Sequence, residues 1–201
     1  MVNSAYKTDF RGASFKAGQE LPKISTQLDS VRTYQFEIRF YGLPPELTGQ
    51  GPDLTLAAKQ VGPIRVSLDD IVVDRVNDKV YYPGKFSQEE LSVSFDNLYL
   101  KNTTPTLWKW FKSMYNPMTG DTTVMAAPGG PGNRTFKAAK VTILELDNMR
   151  NPHAAIELYG VFPKSISFSE KNYSSNDFST VEVGFRWDFI DYFKYAEKSG
   201  T

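Results

Sequence analysis

The strongest order in this 201-residue chain is an alternation of apolar and polar side chains. From Thr33 to Phe40, the side chains of Tyr34, Phe36, Ile38 and Phe40 take one side of an extended backbone, and Thr33, Gln35, Glu37 and Arg39 take the other. A period of two marks a strand with one buried and one wet face. Burying four such side chains contributes on the order of 1.5–3 kcal/mol each, enough to hold the register against a one-residue slip. The alternation returns at Leu91, Val93 and Phe95. It is most regular at Thr180–Phe189, where Val181, Val183, Phe185, Trp187 and Phe189 oppose Thr180, Glu182, Gly184, Arg186 and Asp188. Further strands are predicted over 55–65 and 66–73, bent at Gly62-Pro63, and over 74–80, leading to a turn at Pro83-Gly84. The last third adds strands at 140–146, 155–161 and 165–168.

One helix breaks the series. Thr104 suits an N-cap, Pro105 the first turn, and Leu107, Trp108, Phe111, Met114 and Tyr115 recur at spacings of three and four before Asn116-Pro117. Two segments rich in Pro and Gly read as loops: Gly42–Pro52, and the long stretch 117–136 with Pro128–Gly132 at its tip. Residues 1–30 follow neither period and read as an N-terminal arm, ordered only where a neighbour holds it. The expected organisation is thus an arm (1–30), one β domain (31–195) containing the 117–136 loop, and a short tail (196–201). The fold class that follows is mainly β, an antiparallel sandwich or barrel with one flanking short helix.

Composition narrows the function. The chain has no Cys, which removes thiol catalysis, thiolate metal sites and redox switching. The 23 basic and 23 acidic residues cancel, so no net field points to nucleic acid or membrane as a tight partner. A near-zero charge also weakens repulsion between copies, which suits a protein that assembles. The opening residues lack the layout of a secretion signal, and no apolar run approaches the ~20 residues of a membrane span, so a cytosol-like site of assembly is expected.

No catalytic or cofactor constellation emerges. His153 stands alone in Asn151-Pro152-His153 and reads as a turn residue, not as a general base or ligand. The acidic run Asp69, Asp70, Asp74 and Asp78 lacks the Gly and terminal Glu of a calcium loop and reads as a solvated edge. Gly129–Gly132 is not followed by Gly-Lys-Ser/Thr, and its proline withholds an amide donor a phosphate cradle needs. Trp108 and Trp110 beside Lys109 and Lys112 read as a helix packed on a sheet before they read as a base-stacking platform. The expectation is no enzyme, no cofactor and no metal.

Several segments, taken in order, resemble the tail tube proteins of contractile-tailed bacteriophages, the T4-like tail tube family. They are Asp96-Asn97-Leu98-Tyr99, then Pro105–Phe111 and Tyr115–Gly120, then Ala139–Glu145, Ile156–Ile166 with its Phe162-Pro163 turn, and Thr180–Asp188. The resemblance covers most of residues 31–192. It implies a structural virion protein that forms rings of six, stacked into a tube whose lumen conducts DNA into the host without binding it specifically. Sheath, baseplate and tail terminator proteins would be its partners, and the virion tail its location. A lumen that lets DNA slide must not be basic, because weak phosphate contacts multiply along the tube. Gln35, Glu37, Asp69, Asp70 and Asp74 are the expected lumen-facing residues, and the arm and the 117–136 loop the expected ring-to-ring or sheath contacts. The inner tube of a genome-free injection system, of bacteriocin or type VI secretion type, shares the fold and the ring of six. A ligand-binding β-sandwich remains a reading from another class.

Overall fold

The computed structural model describes residues 6–8, 14–16, 31–121, 136–174 and 176–195. The chain divides into two compact units, Met1–Tyr34 and Gln35–Thr201. In the first, strands β1 (Tyr6–Thr8) and β2 (Ser14–Lys16) pair antiparallel, with Lys7 opposite Phe15. The rest of the expected arm, residues 122–135 of the expected loop and the 196–201 tail lie outside the described residues.

The second unit is mainly antiparallel β. It holds β3 (Phe36–Tyr41), helix α1 (Gly51–Ala57), β4 (Ala58–Val61), β5 (Val66–Asp74), β6 (Lys79–Gln88), β7 (Leu91–Asp96), helix α2 (Thr103–Met114), β8 (Ala138–Leu146), β9 (Pro152–Phe168), β10 (Thr180–Arg186) and β11 (Phe189–Lys194). The strand order is β3-β8-β9-β10-β7-β4, with β11 also on β9, while among the described residues β5 and β6 pair only with each other. The register shows that β10 and β11 lie in one line along β9, from Val181 opposite Phe168 to Lys194 opposite Ala154. That line is interrupted at Trp187-Asp188, where the Asp188 N–H still donates to the Tyr159 carbonyl at 2.8 Å.

The sheet curls around one core. Phe40 on β3 and Phe95 on β7 are separated by three strands in the pairing order, yet their ring centroids lie 6.1 Å apart. Phe185 meets both, at 6.2 and 6.3 Å, and Trp110 of α2 closes the cluster at 5.5 Å from Phe185. Around these four rings pack Ile38, Leu91, Val93, Val141, Leu158, Val181 and Val183, with Leu47, Leu54 and Leu107 from the helical side. Apolar burial of this extent is the main favourable contribution to the fold.

Several local expectations are corrected. The Gly42–Pro52 loop and the strand that was to begin at residue 55 give way to a 3-10 turn at Pro45–Leu47 and helix α1. Pro52 sits in the first helical turn, where its missing N–H goes unneeded, and Leu54 and Ala57 are buried. Pro83-Gly84 is not a turn but a bulge inside β6: the hairpin turns at 75–78, where the Arg75 N–H donates to Asp78 O. Gly84 is required there, since a Cβ would stand 2.7 Å from the Asp69 carbonyl oxygen.

The strands expected at 155–161 and 165–168 are one continuous β9 through Pro163. Gly160, at φ 67°, reverses its alternation so that Leu158 and Val161 both face the core. The partner line shifts in step at Trp187-Asp188, which leaves Trp187 buried and turns Phe189 outward at 63% exposure. Finally, α2 buries Thr103, Thr106, Leu107 and Trp110, not the face carrying Trp108, Phe111 and Tyr115. Its N-cap is Asn102 in the left-handed conformation, and the Thr104 hydroxyl instead donates to Asn97 Oδ1 at 2.8 Å.

Candidate assembly surface

Two features of the second unit are built like surfaces awaiting partners. The first is the β5–β6 hairpin. Every residue of β5 is exposed, and the pairs Leu68–Phe86, Ile71–Tyr82, Val72–Tyr81 and Val73–Val80 line up along the ladder. Because successive residues point to opposite faces, Leu68 and Val72 lie on one face and Ile71 and Val73 on the other, so both faces are apolar. A lone two-stranded ribbon is at best marginally stable in water. Large apolar side chains left in solvent on both sides mark an interaction surface.

The root of the hairpin is held firmly where β10 passes into β11. The Gln88 side chain donates to the Trp187 carbonyl, and Arg186 Nη1 donates to Gln88 O at 2.9 Å. Arg65 pairs with Glu89 at 3.2 Å. The Glu90 carboxylate accepts from Lys164 at 2.7 Å and Ser165 at 2.6 Å, which hold it below the usual carboxylate range. It lies over Gly184, where any Cβ would collide with it.

The second feature is the outer face of the four strands β3-β8-β9-β11. Their register lines up three rows across the sheet: Tyr41, Lys140, Tyr159, Phe189; then Arg39, Thr142, Glu157, Asp191; then Glu37, Leu144, Ala155, Phe193. Thr142, Leu144 and Ala155 are buried, so the open part of this face is the first row with Arg39 and Asp191. The charges are mostly paired. Arg39 grips Glu37 through Nε at 2.6 Å and Nη2 at 3.2 Å, and its guanidinium is held well above its ordinary value by that hydrogen bond. Lys140 Nζ donates to Glu157 Oε1 at 2.8 Å and sits 5.3 Å from the Tyr41 ring centre. The Tyr159 hydroxyl donates to Glu157 Oε2 at 2.5 Å. Both open borders of this sheet, β3 and β11, are unpaired by any other strand among the described residues.

Glu157 is 5% exposed, and the groups around it respond to its charge. Its hydrogen bonds raise both Lys140 and Tyr159 above their ordinary values. Each proton is therefore held more tightly in the folded chain than in the unfolded one, so this stabilisation is complete below about pH 10 and is lost as pH climbs through the folded values. The melting temperature should fall above about pH 10 more steeply in the parent than in Glu157→Leu. Parallel alkaline melting curves for the two proteins would contradict this role for Glu157.

The expected lumen residues do not gather on one surface. Glu37 lies in the third row of the four-stranded face, and Gln35 just precedes β3, its carbonyl accepting the Leu146 N–H at 2.9 Å. Asp69, Asp70 and Asp74 lie on β5, with Asp74 3.6 Å from Lys79. His153 is exposed at the start of β9. No group of three or more His, Asp or Glu among the described residues is arranged to hold a metal ion. The Gly129–Gly132 stretch lies outside the described residues. Trp110 is buried, its Nε1 donating to Phe136 O at 2.9 Å, while Trp108 stacks on Phe111 at 5.8 Å and meets Phe168 at a tilt at 6.1 Å.

Neither a protein-family model nor a curated protein matches the sequence. Solved structures do resemble the fold. A chain of the sheath–tube complex of an extracellular contractile injection system, PVC, in its extended state aligns with a TM-score of 0.62 at 15% identity, covering 87% of this chain and 98% of that one. A chain of the anti-feeding prophage tube-terminating cap aligns at 0.61 and 12% identity, covering 83% and 92%. A chain of the anti-feeding prophage baseplate aligns at 0.59 and 10% identity, covering 82% and 96%. At these identities the likeness is one of fold. The fold is thus that of chains found in contractile injection machines, spanned over nearly their whole length.

Proposed function

We propose that this chain is the tube subunit of a contractile tail or injection machine, a structural protein whose copies close into rings and whose rings stack around a passage. The observation that carries this reading is the β5–β6 hairpin, apolar on both faces and exposed along its length in the single chain. A ribbon of that kind gains stability by lying between two other surfaces, as stacked rings provide. The role in this reading is one of shape and contact, not of catalysis.

In this reading the open part of the outer face of β3-β8-β9-β11, the Tyr41–Phe189 row with Arg39 and Asp191, lines the passage. The three rows of that face carry two cations, Arg39 and Lys140, against three carboxylates, Glu37, Glu157 and Asp191. That wall is neutral to acidic, as a polyanion sliding past it requires. Gln35 and Glu37 belong with this wall, while Asp69, Asp70 and Asp74 belong with the ring-to-ring contact. Sheath, baseplate and terminator proteins are the natural partners, and DNA or a protein cargo the traveller. The neighbours by fold come from contractile injection machines, which supports the tube of an injection system, the alternative to a phage tail.

Negative-stain electron microscopy of the purified chain over a concentration series tests the proposal. Rings and tubes are expected. Dispersed particles of subunit size at every concentration would contradict it and favour a ligand-binding sandwich.

A further inference from the structure

The two open borders of the four-stranded sheet are matched to each other. β3 and β11 are each six residues long. The antiparallel steps β3-β8, β8-β9 and β9-β11 make them run in opposite directions, so β11 of one copy can add to β3 of the next as an antiparallel strand. Full overlap of the two borders occurs in one register, with Phe189 opposite Tyr41 and Lys194 opposite Phe36.

In that register the side chains agree on both faces. On the core side Ile190 falls beside Phe40 and Tyr192, 54% exposed in the single chain, beside Ile38. On the outer side Phe189 meets Tyr41, an aromatic cross-strand pair. Between them Asp191 falls opposite Arg39. Among the described residues, no hydrogen bond or ion pair takes up the Asp191 carboxylate. Arg39 presents five donors, of which the Glu37 carboxylate engages two. A slip of two residues one way would set Asp191 against Glu37, carboxylate to carboxylate. A slip the other way would set it against Tyr41 and strand Phe193 on Arg39. A slip of one residue would turn the border over and put core-facing residues beside charged ones.

We infer that Asp191 of one copy pairs with Arg39 of the next and so sets the register of the ring junction. The inference rests on the ring reading above and names the contact that closes it. The partner is a second copy of this chain, recognised through opposite charge in the middle of a strand pair, where like charges repel.

Because the junction is head-to-tail, it admits a test by mixing. Arg39→Asp and Asp191→Arg each place like charges at every junction, and each should reduce the fraction of subunits in rings about tenfold at a fixed concentration. Both residues are exposed, so each variant should melt near the parent. In an equimolar mixture every alternating junction regains one Asp and one Arg, and rings should return to within about twofold of the parent, read by mass photometry. Single variants that assemble like the parent, or a mixture that stays dispersed, would overturn the pair while leaving the ring reading standing. A parent protein that forms no rings would remove both.

Discussion

Replacing Phe86 by Asp is expected to abolish stacking of rings while the subunit melts within about 2 °C of the parent. In the single chain Phe86 is 51% exposed and faces Leu68 across the hairpin ladder, so a carboxylate there stays in water. Exposed substitutions of this kind usually move stability by no more than about 0.5 kcal/mol, and a chain of this size shifts its melting temperature by about 2–4 °C per kcal/mol. In a stack the same position is buried, and an unpaired carboxylate in an apolar contact costs several kcal/mol, repeated in every subunit of every ring. The readout is paired: calorimetry for the subunit and electron microscopy for the assembly. Tubes of ordinary length from Phe86→Asp would remove the hairpin from the stacking contact.

Trp110→Ala is expected to have the opposite profile, a large loss of subunit stability. Trp110 is fully buried between Phe40, at 6.3 Å, and Phe185, at 5.5 Å, and its Nε1–H is satisfied by Phe136 O. Removing such a ring from a core costs about 3–5 kcal/mol. The melting temperature should therefore drop by about 6–20 °C. Trp108→Ala, two residues away, should cost far less, because Trp108 is 36% exposed and touches only the partly open rings of Phe111 and Phe168 among the described aromatic side chains. Equal losses from the two substitutions would show that the helix is oriented differently on the sheet.

This contrast also shows where the sequence was legible. Period-two patterns at Ile38-Phe40, Leu91–Phe95 and Val181–Phe185 place the right residues in the core, because strands fold by burying every second side chain. The helix is visible from its spacing, but its orientation is not: Thr103 and Thr106 carry the buried face beside Leu107 and Trp110, and threonine looks polar in a pattern. Helix α1 hides among prolines and glycines whose usual meaning is a loop. Phe189 continues the alternation in the sequence and leaves it in the structure, since Gly160 reverses the phase of β9 and its partner must follow.

The assembly surface was less legible still. The hairpin reads as ordinary strands, because sequence alone does not reveal that, among the described residues, its ladder joins no other sheet. Asp69, Asp70 and Asp74 are acidic and exposed as expected, yet they stand on that ribbon, apart from Glu37. The pairing of Arg39 with Asp191 emerges only from register, which depends on three strand partnerships at once.

A cryo-electron microscopy reconstruction of the assembled protein, at a resolution that separates strands, bears most directly on how the sheet borders are satisfied. It should show β11 of each subunit running antiparallel beside β3 of the next, in one unbroken wall around the passage. Subunits joined with those two borders still open to solvent, or a passage walled mainly by Lys and Arg, would contradict it.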